Sequence, residues 1–149
     1  AFETKVRGIE RAITINTPDP LDAIDVLSKI GGFEIGFLAG VAVGAAARGR
    51  PVVIDGYPTT AAALIAATMA PPCVDYMLAS HESAEPGHRI ALAYLGLRPL
   101  LQLEMRLGEG TGAALALTLL DAALRIPREM ATFDGAGVSR SERETQPEA

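Results

Sequence analysis

The chain has 149 residues, of which 49% are apolar and 21% charged, a balance that excludes a wholly disordered or fibrous chain. Thirteen basic against eighteen acidic residues give a net charge of −5, and no basic cluster has the density of a nucleic-acid-binding surface. The uncharged stretch 35–47 is shorter than the roughly 20 residues of a membrane-spanning helix. A single cysteine, Cys73, excludes an intrachain disulfide framework and fits a reducing compartment, so we expect a cytoplasmic protein.

Helical patterns occupy the first third of the chain. Apolar residues recur at helical spacing from position 5 to about 15, which predicts a first helix. A second helix is expected to begin with Asp19 as its N-cap and Pro20 in its first turn. The pair Gly31-Gly32 is expected to end it in a left-handed conformation.

The third predicted helix covers residues 33–48. Gly36, Gly40 and Gly44 lie on one face of it, and glycines at this spacing let another backbone approach closely. The approaching backbone is expected from the soluble core of the same chain or from another copy.

Downstream, short apolar runs alternate with helical segments. Strands are predicted at 51–54, 74–79 and 99–103, and helices at 59–69, at 87–95 and from about 112. Pro127 is expected to kink or end the last helix. The alternation predicts a helix-rich α/β fold with a Rossmann-like parallel sheet flanked by helices. The predicted domain covers residues 1–133, and the polar stretch 134–149 is predicted to be a disordered tail.

Ligands of parallel sheets bind beyond the carboxyl ends of the strands, which here indicates the loops 55–60, 80–88 and 104–112. The last of these contains Glu109 between Gly108 and Gly110, just before a helix. Free amides and the helix dipole at such a position favour an anion, and the glycines allow a ligand to approach the backbone. The pattern fits a catalytic carboxylate and a solvated acid at a helix entrance equally well.

The loop 80–88 offers hydroxyls, carboxylates and two histidines. Ser83 and the nearby amides suit a phosphate, and Ser83 also suits a helix cap with Glu85 in the first turn. A zinc site from His81, Glu82, Glu85 and His88 is disfavoured, because the spacing departs from His-Glu-x-x-His and Pro86 interrupts a helix there. We therefore predict no metal.

Three further residues have two interpretations each. Cys73 is expected to be a small core residue rather than a nucleophile. Asp55, at the end of a predicted strand, suits either a substrate contact or a cap of the turn that follows it. Lys5 has the charge to bind phosphate but also fits a solvated position on a helix face.

Four segments resemble one family. They are Gly-Gly-Phe-Glu at 31–34, Pro-Val-Val-Ile-Asp-Gly at 51–56, Ser-His-Glu-Ser-Ala-Glu-Pro-Gly-His at 80–88, and Met-Arg-Leu-Gly-Glu-Gly-Thr-Gly-Ala-Ala-Leu-Ala at 105–116. Together, and in this order, they resemble nicotinate-nucleotide:dimethylbenzimidazole phosphoribosyltransferase, an enzyme of cobalamin lower-ligand biosynthesis. The likeness extends over roughly residues 5–133.

The resemblance implies transfer of the phosphoribosyl group of nicotinate mononucleotide to 5,6-dimethylbenzimidazole, without a metal or redox cofactor. It implies that Glu109 is the general base, a role that suits a carboxylate able to take the azole proton. It further implies that Leu107 lines the benzimidazole pocket, that Ser83 and Lys5 lie near the phosphate, and that Gly108 and Gly110 flank the base. Asp55 and Gly56 follow as weaker substrate contacts.

Members of the resembled family are more than twice as long, and their Gly-Asn-Thr-Thr phosphate loop is absent from this sequence. The chain is therefore expected to be a C-terminal part of the family domain. The resemblance implies a homodimer, and the missing upstream half suggests a partner that supplies it. The alternative function is a non-catalytic module for ligand binding or assembly.

Overall fold

The computed structural model describes residues 2–138, so most of the predicted tail, 139–149, lies outside the described residues. The chain divides into two compact units, Ala1–Leu117 and Thr118–Ala149. The boundary between these two units falls within the last helix. No helix of residues 2–138 is both long enough and apolar enough to cross a membrane.

Three helices open the first unit: α1 (Phe2–Asn16), α2 (Ala23–Ile30) and α3 (Phe33–Ala46). The predicted cap of α2 is wrong. Asp22 is the N-cap, and its carboxylate accepts from the amides of Ile24 and Asp25. Asp19 instead accepts from the Leu21 amide, because its side chain closes a local turn before the helix begins.

The predicted left-handed exit of α2 is also wrong. Gly31 has φ −83° and Gly32 has φ −138°, values that any residue adopts. Glycine is needed at position 31 for space, because a Cβ there would lie 2.6 Å from the carbonyl oxygen of Leu27.

The glycine face of α3 does not receive another backbone within the described chain. Nothing lies within 4 Å of a Cβ built on Gly40, and Gly36 meets only the Leu27 side chain. With Gly44, these glycines line a shallow exposed groove beside Phe37 and Val41. Close packing inside the chain is therefore wrong as a prediction for this face, and packing against another copy stays a prediction.

Four short strands alternate with helices in the rest of the first unit. They are β1 (Val52–Ile54), β2 (Met77–Ala79), β3 (His81–Ser83) and β4 (Leu101–Met105), with α4 (Tyr57–Met69) after β1 and α5 (Pro86–Leu95) after β3. β1 pairs with β2, and β3 with β4, in parallel. Ser80 joins the pairs, because its amide donates to Ile54 and its carbonyl accepts from Leu101. Residues 77–83 thus form a central extended segment between β1 and β4.

The strand predicted at 74–79 begins only at Met77, because Pro71–Tyr76 form a 3₁₀ helix. Prolines are well placed in its first turn, where an amide hydrogen is not needed. The last helix, α6 (Thr111–Glu129), contains Pro127 two residues before its end. Pro127 therefore neither starts nor follows the helix but lies in its final turn.

The core is built mainly from alanines of α3 and α4. Ala39 and Ala42 of α3 pack with Ala62, Ala63 and Ala66 of α4, and Ile54, Cys73, Met77 and Leu95 complete the buried cluster. Small side chains let the two helices approach closely beside the sheet. Cys73 is 3% exposed, and burial raises the pKa of its thiol, as expected of a core residue rather than a nucleophile.

An apolar groove remains open on the other side of α4. It encloses about 840 Å³ and is lined by residues of the five helices α1 to α5. Ile90 and Tyr94 on its α5 side are 70% and 81% exposed. Apolar patches of this extent on a protein surface mark sites of interaction.

Candidate active site

A cleft of about 730 Å³ lies where β3 and β4 end. It contains Ser83 together with the charged side chains of Glu82, Glu85, Arg89, Glu104 and Arg106. The position agrees with the rule that ligands bind beyond the carboxyl ends of parallel strands. Two arginines and three glutamates give the lining a mixed charge, suited to a ligand that carries both signs or many hydrogen-bonding groups.

Ser83 is buried as the last residue of β3, and it does not cap α5. The N-cap of α5 is Glu85, without a side-chain cap hydrogen bond, while the Ser83 hydroxyl accepts from the Glu85 amide at 3.3 Å. Three backbone amides near Ser83, which were expected to bind a phosphate, already have acceptors within the chain. The Ser83 amide donates to His88 Nδ1, the Ala84 amide to the Met105 carbonyl, and the His88 amide to the Glu85 carbonyl. Arg89 and Arg106 are the cationic groups of this cleft, and neither was singled out from the sequence.

β4 is irregular beside the cleft. His81 pairs with Leu101 and Ser83 with Met105, so the five residues of β4 lie opposite the three residues of β3. Glu104, inside this bulge, has φ +52°. Bulges re-aim side chains, and they are common beside active sites.

Glu109 occupies a strained turn that leads into α6. Gly108, Glu109 and Gly110 have φ values of +81°, +57° and +75°. Glycine tolerates the left-handed region, whereas a glutamate there costs about 1–2 kcal/mol. The turn is closed by the Thr111 amide and hydroxyl, which donate to the Gly108 carbonyl at 3.1 and 2.7 Å. A costly conformation held by its surroundings favours a functional role.

The start of α6 rests on residues from two strand ends. Asp55 Oδ1 accepts from the Ala113 amide at 2.8 Å and lies 3.8 Å from His81 Nδ1. The Ser80 hydroxyl lies 3.0 Å from the same ring nitrogen and donates to the Asp55 carbonyl. A Cβ added to Gly112 would overlap the His81 ring. Asp55 therefore caps α6, 58 residues downstream, and not the turn that follows it.

His88 is fully buried between α4 and β3. Its Nδ1 accepts from the Ser83 amide, and its Nε2 lies 2.8 Å from the Thr60 hydroxyl. Burial, and then the neighbouring His81, lower the pKa of His88, so the ring is neutral at physiological pH. His88 thus connects the cleft to α4 without carrying charge.

Of the predicted site residues, Ser83 alone lines the cleft. The others lie outside its lining: Lys5, Asp55, Gly56, Leu107, Gly108, Glu109 and Gly110. Lys5 is exposed on α1, which packs against α2. Leu107 is 75% exposed, in the segment between Arg106 and the Glu109 turn. Gly56 is the N-cap of α4, and its carbonyl accepts from the hydroxyls of Thr59 and Thr60. Among residues 2–138, no three histidine, cysteine or acidic side chains group as metal ligands do.

From the sequence, His81 and His88 were considered only as metal ligands. Their immediate neighbours are polar residues or glycine, Ser80 and Glu82 for His81 and Gly87 and Arg89 for His88, so no local pattern indicated their burial. Thr60 directly precedes an alanine run, and its position in an alanine-rich helix is the signal that could have indicated a buried, hydrogen-bonded hydroxyl.

A parallel α/β layer with a polar cleft at its strand ends is typical of proteins that bind small molecules, many enzymes among them. A family model described as phosphoribosyltransferase matches residues 1–138. The chain therefore belongs to this phosphoribosyltransferase family.

Its relatives carry a more particular name. Nicotinate-nucleotide–dimethylbenzimidazole phosphoribosyltransferase of Syntrophotalea carbinolica is 60% identical over 136 residues, 91% of this chain and 38% of the relative. The protein of that name from Desulforamulus reducens is 58% identical over 139 residues, 93% of this chain and 40% of the relative. The predicted family is thus confirmed.

A solved structure supports the fold. The crystal structure of the enzyme of that name from Thermus thermophilus matches with a TM-score of 0.75 and 52% identity, over 80% of this chain and 36% of that chain. The predicted α/β fold class is confirmed. The chain spans about 40% of the length of the curated relatives it matches.

Proposed function

We propose that this chain takes part in transfer of the 5-phosphoribosyl group from nicotinate mononucleotide to 5,6-dimethylbenzimidazole, with Glu109 as the general base. The products are α-ribazole 5′-phosphate and nicotinate. One observation carries the proposal: in a chain of this family, Glu109 is held in the left-handed region between two glycines at the start of α6. The substrates are those in the names of the relatives.

The proposed reaction needs one base and no cofactor. An imidazole nitrogen of the acceptor bonds to the anomeric carbon as the bond from that carbon to the pyridine nitrogen breaks. The bonding pair neutralises the quaternary pyridine nitrogen, so nicotinate leaves without an acid catalyst. Glu109 takes the proton from the other azole nitrogen, which keeps the attacking nitrogen nucleophilic. The configuration at the anomeric carbon inverts.

The other predicted residues have binding roles in this proposal. Ser83 and Lys5 serve the phosphate, and Leu107 serves the apolar benzimidazole, with Gly108 and Gly110 leaving room beside the base. Arg89 and Arg106 add positive charge to the cleft that contains Ser83, as a phosphate requires. Asp55 and Gly56 are proposed at the edge of this site.

Nicotinate release from the two substrates, measured by chromatography, tests the reaction. Replacement of one catalytic base lowers the rate by about 10²–10⁴-fold, so Glu109→Gln is expected to lose that much activity. Glu10→Gln is the matched control, because Glu10 is exposed on α1 and is expected to leave the rate unchanged. If the unaltered chain and Glu109→Gln release nicotinate at the same measurable rate, Glu109 is not the general base.

A second candidate is a non-catalytic ligand-binding or assembly module. The open apolar groove beside α4, in a chain spanning about 40% of its relatives, favours it. In that case calorimetry detects benzimidazole or nucleotide binding while no nicotinate forms at any protein concentration. If nicotinate instead forms only after the remaining portion of a relative is added, that result supports the first proposal, with a partner supplying the upstream half. We further propose a homodimer in the cytoplasm, to be tested by ultracentrifugation and fractionation.

A further inference from the structure

The first turn of α6 is attached to the sheet at two points. Asp55, directly after β1, accepts from the Ala113 amide at 2.8 Å through Oδ1. A side chain that caps a helix start from a distant strand fixes the helix against that strand, and the negative charge also suits the helix dipole.

The second point is steric. Gly112 is buried against the His81 imidazole, and a Cβ at Gly112 would lie 2.6 Å from His81 Cγ and overlap Nδ1. His81 is itself held by Ser80, whose hydroxyl lies 3.0 Å from Nδ1, and by Asp55 Oδ1 at 3.8 Å. His81 is 3% exposed, so it has little room to move away.

The Glu109 turn is linked rigidly to these two points. The Ala114 amide donates to the Gly110 carbonyl at 2.9 Å, and the Thr111 amide donates to the Gly108 carbonyl at 3.1 Å. A shift of Gly112 or Ala113 is therefore expected to move the backbone of Glu109. The energy that keeps Glu109 in the left-handed region must come from contacts like these, because the turn itself is exposed.

We propose that Asp55 and His81 are positioning residues for Glu109: the Asp55 cap and the His81 platform beneath Gly112 hold the first turn of α6 and so place the Glu109 carboxylate. This inference rests on the proposed function and gives Asp55 a role different from substrate contact. A misplacement of about 1 Å costs on the order of 100-fold in rate, so the two residues act on turnover without touching substrate.

Asp55 variants separate positioning from binding. Asp55→Asn keeps an oxygen that can accept from Ala113, whereas Asp55→Ala removes it. If Asp55 positions Glu109, kcat falls about 10- to 100-fold in Asp55→Ala with KM changed less than about twofold, and Asp55→Asn recovers most of kcat. If Asp55 binds substrate, both variants raise KM alike, and the proposal is overturned.

The His81 platform is tested by a double-mutant cycle. Gly112→Ala is expected to slow turnover because the new methyl group meets His81. In a His81→Ala background the same change is expected to cost little, since the ring is gone. Gly8→Ala is the control for adding a methyl group, because Gly8 lies within α1 and nothing lies within 4 Å of a Cβ built on it. If Gly112→Ala slows turnover equally in the presence and absence of the His81 ring, the proposed role of His81 is overturned.

A structural measurement decides the outcome even without turnover. The ¹⁵N order parameter of the Glu109 amide is expected near the rigid value of about 0.85 in the unaltered chain and below about 0.6 in Asp55→Ala and Gly112→Ala. If the unaltered chain releases no nicotinate even after the remaining portion of a relative is added, the proposed function fails, while the order parameters still test the attachment. An unchanged order parameter in both variants overturns the inference.

Discussion

The imidazole Nε2 of His88 and the hydroxyl oxygen of Thr60 lie 2.8 Å apart in a buried contact that joins α5 to α4. Because Nδ1 accepts from the Ser83 amide, Nε2 carries the ring hydrogen and donates it to Thr60. The Thr60 hydroxyl in turn donates to the Gly56 carbonyl at 3.0 Å. The network is fully satisfied only while His88 is neutral.

Stability is therefore expected to depend on pH through His88. Burial lowers its pKa in the folded state, whereas in the unfolded chain it lies near 6.5. Below about pH 6.5 the unfolded chain binds a proton that the folded chain does not, so the contribution of His88 is complete above that pH. This contribution to stability is lost as the pH falls from about 6.5 through the lower pKa that His88 has in the folded chain.

Urea unfolding at pH 7.5 and at pH 5.5 measures this effect. The midpoint is expected to be lower at pH 5.5, and a His88→Gln variant is expected to show a smaller difference between the two pH values. The same difference in both proteins would assign the pH dependence to other groups.

Removal of the Thr60 hydroxyl is expected to destabilise the fold. Thr60→Val keeps the shape but leaves the buried Nε2–H of His88 without its acceptor, at a cost of about 1–3 kcal/mol. Thr68→Val is the matched control on the same helix, because the exposed Thr68 hydroxyl only donates to the Leu64 carbonyl. Its free energy of unfolding is expected to change by less than about 0.5 kcal/mol. Similar losses for both threonines would contradict the role of the His88 network.

Two glycines should respond oppositely to alanine. Gly110 has φ +75°, so Gly110→Ala is expected to lower the free energy of unfolding by about 1–2 kcal/mol. Gly8 lies inside α1 with nothing within 4 Å of an added Cβ, so Gly8→Ala is expected to raise it by about 0.5–1 kcal/mol. Urea unfolding of both variants gives the comparison. A stable Gly110→Ala chain would show that the turn before α6 relaxes easily.

Local signals in the sequence predicted most of the elements. β-branched residues after Pro51 predicted β1, and the proline at position 86 marked the start of α5. The wrong predictions arose where the local sequence is ambiguous. Asp19 and Asp22 are both suitable N-cap residues. Asp22 caps α2 because the chain turns at Pro20, where Asp19 accepts from the Leu21 amide. Gly31 looked like a helix terminator, but its role is to leave space for Leu27.

The site was less predictable because its contacts join distant parts of the chain. The sequence singled out Asp55 and Glu109, but not that Asp55 would cap the helix after Glu109 through Ala113. That contact depends on the order in which β1, residues 77–83 and β4 lie side by side, which no local pattern encodes. Of the two exposed cleft arginines, Arg106 lies inside the segment 105–116 but no role was predicted for it, and Arg89 lies outside all four segments.

The packing of Gly112 on His81 also has an evolutionary consequence. While the ring is present, every single-step change of Gly112 meets a steric barrier. A smaller residue at position 81 removes that barrier, so substitutions at the two positions should arise in a fixed order, His81 first. Related proteins that have a residue other than glycine at position 112 should therefore also have a residue smaller than histidine at position 81.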